Sequence, residues 1–254
     1  LPVAQTIINN EFIGNKANEG GAIYVYATGS TIQYNNFTNN SANMGGAIYA
    51  PKLSNHYVDI SHCAFVWCGG FYGGAIYNAF NGNSNFPISD CTFIRNTAKF
   101  DGGAVYLDSV ADSSSISPDI LSKLGIFNSR LAYCIAGNDG GAGYFNATHG
   151  AIRNLVFDSN IANRNGGGAV WLCSNSSIVG TTVFNNTAVN GDGGGLYMSP
   201  PQLSSIFDAA IVMMYSNFTQ NTAGNNGGSL YCGGLFSVIL NSTFTDDKAY
   251  DGAG

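Results

Sequence analysis

Residues 32–49, IQYNNFTNNSANMGGAIY, contain the pattern that decides the fold. An aliphatic residue, Ile32, is followed five positions later by a large apolar residue, Phe37, and three positions after that by Asn40. A small residue, Ala42, and the run Gly-Gly-Ala-Ile-Tyr at 45–49 complete the unit. Short β-branched and aromatic runs between Gly and Asn turns indicate β-strands joined by tight turns.

This unit recurs nine times. Its large apolar position is occupied by Phe12, Phe37, Phe65, Phe93, Leu131, Phe157, Val183, Phe218 and Phe244. A unit of 20–30 residues cannot bury its apolar face alone and has to stack on its neighbours. The sequence therefore predicts an all-β fold, a right-handed parallel β-helix formed by a single chain. Its roughly nine coils of ~26 residues would make a rod about 40 Å long.

Residues 1–254 are predicted to form one β-helix domain, either a segment of a longer array or a subunit that stacks end to end. Two longer steps between repeats locate insertions at 108–120 and 199–208. In the first insertion, Ser117 and Pro118 are typical of the start of a short helix. Both insertions follow the Ala-Ile-Tyr strand, so we expect them to project from one corner, as a working face or as tolerated surface loops.

The composition argues against nucleic-acid binding, a membrane-spanning helix and a zinc site. Charged residues make up only 9% of the chain and the net charge is −6, so no basic surface is available to bind nucleic acid. No apolar stretch is long enough to be a membrane-spanning helix. The six cysteines include no Cys-x-x-Cys pair and the three histidines do not cluster, which argues against zinc. We expect no metal site, no cofactor and no nucleic-acid partner.

The cysteines and the asparagines favour an extracellular or cell-surface location. An even number of cysteines in a chain rich in Ser, Thr and Asn favours an oxidising compartment. Cys63 and Cys91 occupy the same position in adjacent coils, which predicts a disulfide between them. The candidate glycosylation sites, each in an Asn-x-Ser/Thr sequon, are Asn36, Asn39, Asn146, Asn175, Asn185, Asn217 and Asn241.

An aromatic residue follows the Ala-Ile pair in most coils. The predicted ladder consists of Tyr24, Tyr49, Tyr77, Tyr106, Tyr144, Trp171, Tyr197 and Tyr231. The residues before and after each aromatic are mostly apolar and claim the interior, so period-two alternation places the aromatic outside. Such a stripe could stack on sugars or pack against another protein. Alternatively, it could stabilise itself by stacking beneath a loop.

Two polar rows have structural interpretations. The Phe-x-x-Asn corner carries Asn15, Asn40, Asn96, Asn160, Asn186 and Asn221, with Cys68, Cys134 and Asp247 in the other coils. Stacked Asn side chains can bond to each other and to turn backbone. Asp101 and Asp139 precede Gly-Gly pairs in adjacent coils, where carboxylates ~5 Å apart could serve a turn, calcium or glycoside hydrolysis. No cationic residue or His repeats near them, so we predict no catalytic residue.

The paired tetrapeptides resemble a known family. Gly-Gly-Ala-Ile occurs at 20–23, 45–48 and 73–76, and Phe-x-x-Asn at 12–15, 37–40, 93–96, 157–160 and 218–221. They are similar to the repeats of the polymorphic outer-membrane protein family of autotransporter adhesins. The resemblance implies a β-helix with surface display, adhesion or assembly, and it implies no catalytic residues. Later coils depart from it, with Gly-Gly-Gly-Leu at 193–196 and Gly-Gly-Ser-Leu at 227–230.

Together these features predict a non-catalytic extracellular structural or adhesive protein, a rod for cell-surface or filament assembly. Its expected partners are itself or other surface proteins, through end-to-end or lateral packing, and glycans. The alternative is a polysaccharide-active enzyme of the pectin-lyase-like β-helix class. That alternative requires a groove with clustered carboxylates and a basic residue.

Overall fold

A computed structural model describes residues 3–51, 57–81, 86–110, 125–147, 150–173, 176–199, 210–233 and 236–252. These residues form 32 short strands and no helix. Neighbouring strands pair in parallel, each with the equivalent strand of the adjacent coil. The predicted parallel β-solenoid is therefore confirmed. Most of both predicted insertions, including the helix start at Ser117, lies outside the described residues.

The strands form four sheets that run along the rod. The first sheet contains β1 (Thr6–Ile8), β4 (Ser30–Gln33), β7 (Val58–Ser61), β11 (Ile88–Ser89), β15 (Gly125–Phe127), β19 (Gly150–Arg153), β23 (Ser176–Val179), β27 (Ala210–Met214) and β31 (Phe236–Leu240). The second sheet contains β2 (Glu11–Ile13), β5 (Asn36–Thr38), β8 (Ala64–Val66), β12 (Thr92–Ile94), β16 (Arg130–Ala132), β20 (Val156–Asp158), β24 (Thr182–Phe184), β28 (Asn217–Thr219) and β32 (Thr243–Thr245).

The other two sheets complete each coil. The third sheet contains β9 (Gly69–Gly70), β13 (Thr97–Ala98), β17 (Ile135–Ala136), β21 (Ile161–Ala162), β25 (Thr187–Ala188) and β29 (Thr222–Ala223). The fourth sheet contains β3 (Ile23–Tyr24), β6 (Ile48–Ala50), β10 (Ile76–Asn81), β14 (Val105–Val110), β18 (Gly143–Ala147), β22 (Ala169–Trp171), β26 (Leu196–Met198) and β30 (Leu230–Cys232). The nine strands of the first sheet correspond to the nine repeats of the sequence.

Each coil turns through a left-handed residue at three corners. The first corner, between the first and second sheets, uses Asn9, Tyr34, His62, Asp90, Asn128, Asn154, Gly180, Tyr215 and Asn241. The second corner, between the second and third sheets, uses Gly14, Asn39, Trp67, Arg95, Tyr133, Ser159, Asn185, Gln220 and Asp246. The glycine corner, before the fourth sheet, uses Gly20, Gly45, Gly73, Gly102, Gly140, Gly166, Gly193, Gly227 and Gly252.

Identical residues stack along the interior of the rod. The large apolar position of the repeat forms a continuous row, in which the rings of Phe37, Phe65 and Phe93 stack with centroids 4.7 and 4.8 Å apart. The aliphatic position forms a second row, and Ile32 and Ile60 in it are fully buried. Because every coil contributes to the same rows, the rod has one continuous apolar core.

The Asn corner is confirmed as an interior hydrogen-bonded ladder. Asn186 Oδ1 accepts from the backbone N–H and the Nδ2 of Asn160, each at 2.9 Å. Asn186 Nδ2 in turn donates to the carbonyl oxygens of Phe157 and Phe184, at 3.0 Å each. Asn221 and Asp247 continue the same pattern into the last coils. The ladder joins each coil to the next from inside the rod.

The prediction that Trp171 points outward is wrong. Register pairs Tyr144 with Val170, and Trp171 with the buried Phe145. Three consecutive glycines precede Ala169, and the left-handed one is Gly166, so the strand begins one residue earlier than the repeat suggested. A shift of one residue moves a side chain to the other face. Trp171 is consequently only 2% exposed, and its indole N–H donates to Ser176 Oγ at 2.8 Å.

Candidate functional site

The outward tyrosines form a stacked stripe along the fourth sheet. This tyrosine ladder consists of Tyr24, Tyr49, Tyr77, Tyr106, Tyr144, Tyr197 and Tyr231. Tyr106 stacks between Tyr77 and Tyr144, with centroids 5.0 and 4.9 Å apart and rings within 4° of parallel. Val170 replaces the aromatic in the next coil and interrupts the stripe. Tyr24 is 47% exposed and the other members are half-buried, so the stripe is accessible.

Tyr77 and Tyr144, in the middle of the tyrosine ladder, keep protonated hydroxyl groups at neutral pH. Burial, aided by the Asp108 carboxylate, raises the pKa of Tyr77 to about 12. Burial also raises the pKa of Tyr144 to about 12, with Asp101 as the next contribution. The hydroxyl groups therefore remain hydrogen-bond donors, and the stripe combines flat aromatic surface with polar tips.

The structure brings Asp101 and Asp139 together and uses both in turns. Asp101 Oδ1 accepts from the backbone N–H of Asp139 at 3.1 Å, and Asp139 Oδ1 accepts from that of Asn165 at 2.9 Å. Asn165 and Asp192 repeat the same bond in later coils. Burial is the largest influence on the Asp101 carboxyl and raises its pKa. The row therefore serves turn structure.

One feature near these carboxylates was missed by the repeat pattern. Arg164, in the coil after Asp139, places its guanidinium Nη2 3.5 Å from Asp139 Oδ2. The equivalent residues of the two preceding coils are Asn138 and Phe100, neither of them cationic, so no spacing signal pointed to Arg164. Among the described residues, no three His, Cys, Asp or Glu side chains are placed to hold a metal ion.

Cys63 and Cys91 lie in adjacent coils, as the sequence predicts, but both are free thiols in the structure. The backbone N–H of Cys63 donates to Cys91 Sγ at 3.5 Å, and the N–H of Cys91 donates to Ser129 Oγ at 3.0 Å. They thus belong to a second interior polar row, which also contains Asn35. Burial raises the pKa of the Cys91 thiol well above its ordinary range. The disulfide stays a prediction.

The predicted glycosylation sites differ in accessibility. Fully exposed sequon asparagines are Asn36, Asn39, Asn185, Asn217 and Asn241. Asn146 is half-buried, and its Nδ2 donates to Asp108 Oδ1 at 3.0 Å. Asn175 lies outside the described residues. The five exposed sites are accessible acceptors. Asn146 would first have to break its bond to Asp108, and Asn185 its exposed bond to Ser159 Oγ.

The second corner presents large residues that the repeat analysis did not single out. Trp67, Arg95 and Tyr133 follow one another in adjacent coils with left-handed backbones. The guanidinium carbon of Arg95 lies 5.0 Å from the Trp67 ring centroid and 5.9 Å from that of Tyr133. The sequence signal was a bulky residue two positions after Phe65, Phe93 and Leu131, where other coils have small polar residues.

Comparison with protein families gives a match in three segments. The repeat of the Chlamydia polymorphic membrane protein matches residues 11–26, 36–51 and 90–108. Each segment runs from a second-sheet strand, through the glycine corner, to a fourth-sheet strand. In these three segments the chain is similar to polymorphic membrane protein repeats. They cover a minor part of the sequence, and their spacing agrees with the coils of the structure. Comparison with curated proteins and with solved structures found no match.

The matched segments and the solenoid make the chain similar to a polymorphic membrane protein β-helix. The family's name implies an outer-membrane or surface location. In the described part of the chain, no helix is long and apolar enough to cross a membrane. The resemblance seen in the tetrapeptides is thus confirmed by the family match and by the solenoid fold.

Proposed function

We propose that the chain is a non-catalytic adhesive rod of an extracellular or cell-surface protein, which contacts other surface proteins or glycans through its tyrosine ladder. The observation that carries the proposal is the ladder itself. Its rings stack at about 5 Å intervals on the outer side of the fourth sheet, where Tyr77, Tyr106 and Tyr144 are half-buried and Tyr24 is exposed. Exposed aromatic surface with polar tips is typical of protein and sugar contact sites.

The similarity to polymorphic membrane protein repeats supports this proposal independently of the tyrosine ladder. This similarity supports surface display, and a rod on a surface can act through its faces. Asn36, Asn217 and the other exposed sequons would carry glycans on the second sheet and its corners, away from the fourth sheet that bears the ladder. Glycosylation at these sites would leave the tyrosine ladder accessible.

The pectin-lyase-like alternative rests on Asp101, Asp139 and Arg164. These side chains supply two carboxylates and one guanidinium in adjacent coils, the kind of cluster that such an enzyme requires. However, both carboxylates accept backbone hydrogen bonds that recur in coils without a cationic neighbour. We therefore favour adhesion.

The test measures adhesion and cleavage on the same protein. Beads coated with the purified chain are compared with beads carrying Tyr77→Thr, Tyr106→Thr and Tyr144→Thr together, because Thr keeps the β-propensity of the strand. We expect the native beads to adhere to cultured cell layers at least about tenfold better than the triple variant, with similar unfolding midpoints for both proteins. Equal adhesion of the two would contradict the proposal. Cleavage of polygalacturonate that is lost in Asp101→Asn with Asp139→Asn would establish the enzyme instead.

A further inference from the structure

A basic aromatic face lies on the second corner and third sheet of coils three to five. It consists of Trp67, Gly69, Phe71, Arg95, Lys99 and Tyr133, which occupy aligned outward positions. Trp67 is 54% exposed, Tyr133 46% and Phe71 42%, and both cations are exposed. The tyrosine ladder lies on a different sheet, the fourth, and ring contacts through Phe100 and Tyr72 connect Phe71 to Tyr106 of the ladder.

Arg95 and Lys99 contact aromatic rings rather than carboxylates. Arg95 is held between Trp67 and Tyr133, and Lys99 Nζ lies 5.0 Å from the Phe71 centroid and 5.4 Å from that of Phe100. Within the described residues neither cation forms an ion pair, whereas Arg130 and Arg164 each do. A chain with net charge −6 thus keeps two positive charges without an acidic partner on one small face.

Gly69 opens a groove beside Phe71 and Lys99. The equivalent third-sheet position in other coils carries Thr97, Ile135 or Ile161, so the absence of a side chain at Gly69 leaves a hollow. The shallow groove has a volume of about 440 Å³, and its lining includes Gly70, Phe71 and Lys99. Its volume is within the range of small-molecule sites, about 300–1,000 Å³.

We propose that the basic aromatic face binds an oligosaccharide that carries one or two carboxylate groups. The apolar face of a sugar ring packs on Trp67 or Phe71, and its carboxylate accepts hydrogen bonds from the Arg95 guanidinium or the Lys99 ammonium. A fixed, stacked guanidinium suits a carboxylate because little side-chain entropy remains to be lost on binding.

Other anionic partners fit this face less well. A densely sulfated polymer or a nucleic acid needs many cations along its length, and the overall charge of −6 would repel it. A peptide adding as a β-strand needs a free sheet edge, but β8, β9 and β13 in this region are paired with neighbouring coils on their available sides. A saccharide with one or two carboxylates needs neither a long row of cations nor a free sheet edge.

The fluorescence of Trp67 provides a direct readout, because the only other tryptophan, Trp171, is buried. The purified chain is titrated with 3′-sialyllactose, with neutral lactose and with a tetraglutamate peptide, and acrylamide quenching of the exposed tryptophan is followed. We expect 3′-sialyllactose to protect Trp67 with a dissociation constant of about 1 mM or tighter, and to bind at least about tenfold more tightly than lactose or the peptide.

Three variants make the test specific. Arg95→Gln with Lys99→Gln should abolish the preference for the acidic sugar, a weakening of about tenfold or more. Gly69→Ile should remove binding by filling the groove without unfolding, because Ile occupies this position in two later coils. Arg153→Gln removes an exposed cation from the first sheet and should change nothing.

Lack of protection by 3′-sialyllactose, equal binding of lactose, or tighter binding of the peptide would each overturn the assignment. These outcomes are distinguishable from failure of the adhesion proposal, because Arg95→Gln with Lys99→Gln and Gly69→Ile leave all seven tyrosines of the ladder in place. Loss of sugar binding in Gly69→Ile with full adhesion would show that the two faces act independently, as the assignment expects.

Discussion

The glycine corner and the second corner both turn through a left-handed residue, yet they accept opposite side chains. At the glycine corner, a Cβ on Gly102 would overlap the carbonyl oxygen of Val105. At the second corner, the same backbone conformation carries Trp67, Arg95 and Tyr133, whose side chains reach solvent. The direction of the Cβ atom, and not the φ angle alone, therefore decides which residues a corner tolerates.

Because of this difference, some positions of each coil are needed for the fold, whereas others can carry side chains that bind partners. The glycine corner and the interior Asn ladder face neighbouring coils at close range, so their residues hardly vary. The outer corners face solvent, and each coil can place a different side chain there. Binding surfaces such as the basic aromatic face can arise on these corners without disturbing the stacking of the coils.

The largest loss of stability is expected for Gly103→Ala. The second glycine of the pair packs against the next coil, and a Cβ at Gly103 would overlap the Gly141 carbonyl oxygen. We expect the free energy of unfolding, measured by urea denaturation, to fall by about 3–5 kcal/mol. Gly69→Ala is the control, because its Cβ would lie 3.4 Å from Thr97 Oγ1, an ordinary contact. Equal losses in both variants would show that the close approach of the next coil does not set the cost at Gly103.

The next largest loss of stability is expected for Asn186→Ala, in the interior Asn ladder. The change leaves the buried N–H of Asn160 without its acceptor and removes the bonds to Phe157 and Phe184. Unsatisfied buried groups cost about 1–3 kcal/mol each, so we expect a loss of about 2–4 kcal/mol in the same denaturation experiment. Asn190→Ala, which removes an exposed bond to Asn163, should cost less than about 0.5 kcal/mol.

A smaller, pH-dependent effect is expected for Asp101→Asn. Burial raises the pKa of Asp101 above its ordinary value of 3.8, so the folded protein binds this proton more tightly than the unfolded chain does. Ionisation of Asp101 therefore destabilises the fold above its folded pKa, and this cost disappears below about pH 3.8. Asn retains the acceptor oxygen, as Asn165 shows. We expect Asn to stabilise the protein by less than about 1 kcal/mol at pH 7. An undiminished advantage at about pH 3 would contradict this explanation.

The smallest effect on stability is expected for Trp67→Asn. Asn adopts the left-handed conformation readily, and this gain offsets the loss of about 0.5–1 kcal/mol from stacking on Arg95. The free energy of unfolding should change by less than about 0.5 kcal/mol. Trp171→Ala is the matched comparison, since it empties a buried site and should cost about 3–5 kcal/mol. If Trp67→Asn lowered the free energy of unfolding by more than about 2 kcal/mol, Trp67 would be needed for the fold, contrary to this expectation.

The sequence predicts the parts of the molecule that repeat. Phe37, Asn40 and the glycine pair at 45–46 recur because each coil must make the same contacts with the next, so the fold, its coils and the Asn ladder follow from the spacing. Trp171 was misplaced because Gly166–Gly168 offer two alignments. Packing selects one of them, since the small Gly143 and Ala169 leave room inside for Phe145 and Trp171.

The tyrosine ladder also follows from the repeat, but the basic aromatic face does not, because its residues depart from the repeat. Trp67, Arg95, Lys99 and Gly69 each break the repeat, and a self-alignment averages such residues away. Their significance depends on which positions of adjacent coils become neighbours on the outside of the rod, which requires the register of the sheets. Arg164 beside Asp139 is a further example, since the two are separated by a full coil in the sequence.

The most direct test of this division between fold and display is backbone amide hydrogen exchange in the variant with Trp67→Asn, Arg95→Asn and Tyr133→Asn combined. The amides of Gly74, Gly103 and Gly141 each donate to the next coil at the glycine corner, over 3.0–3.1 Å. We predict that their exchange rates will equal those of the native chain within about twofold. Exchange accelerated tenfold or more at these glycines would show that the outer corner residues hold the coils together, which would contradict the account.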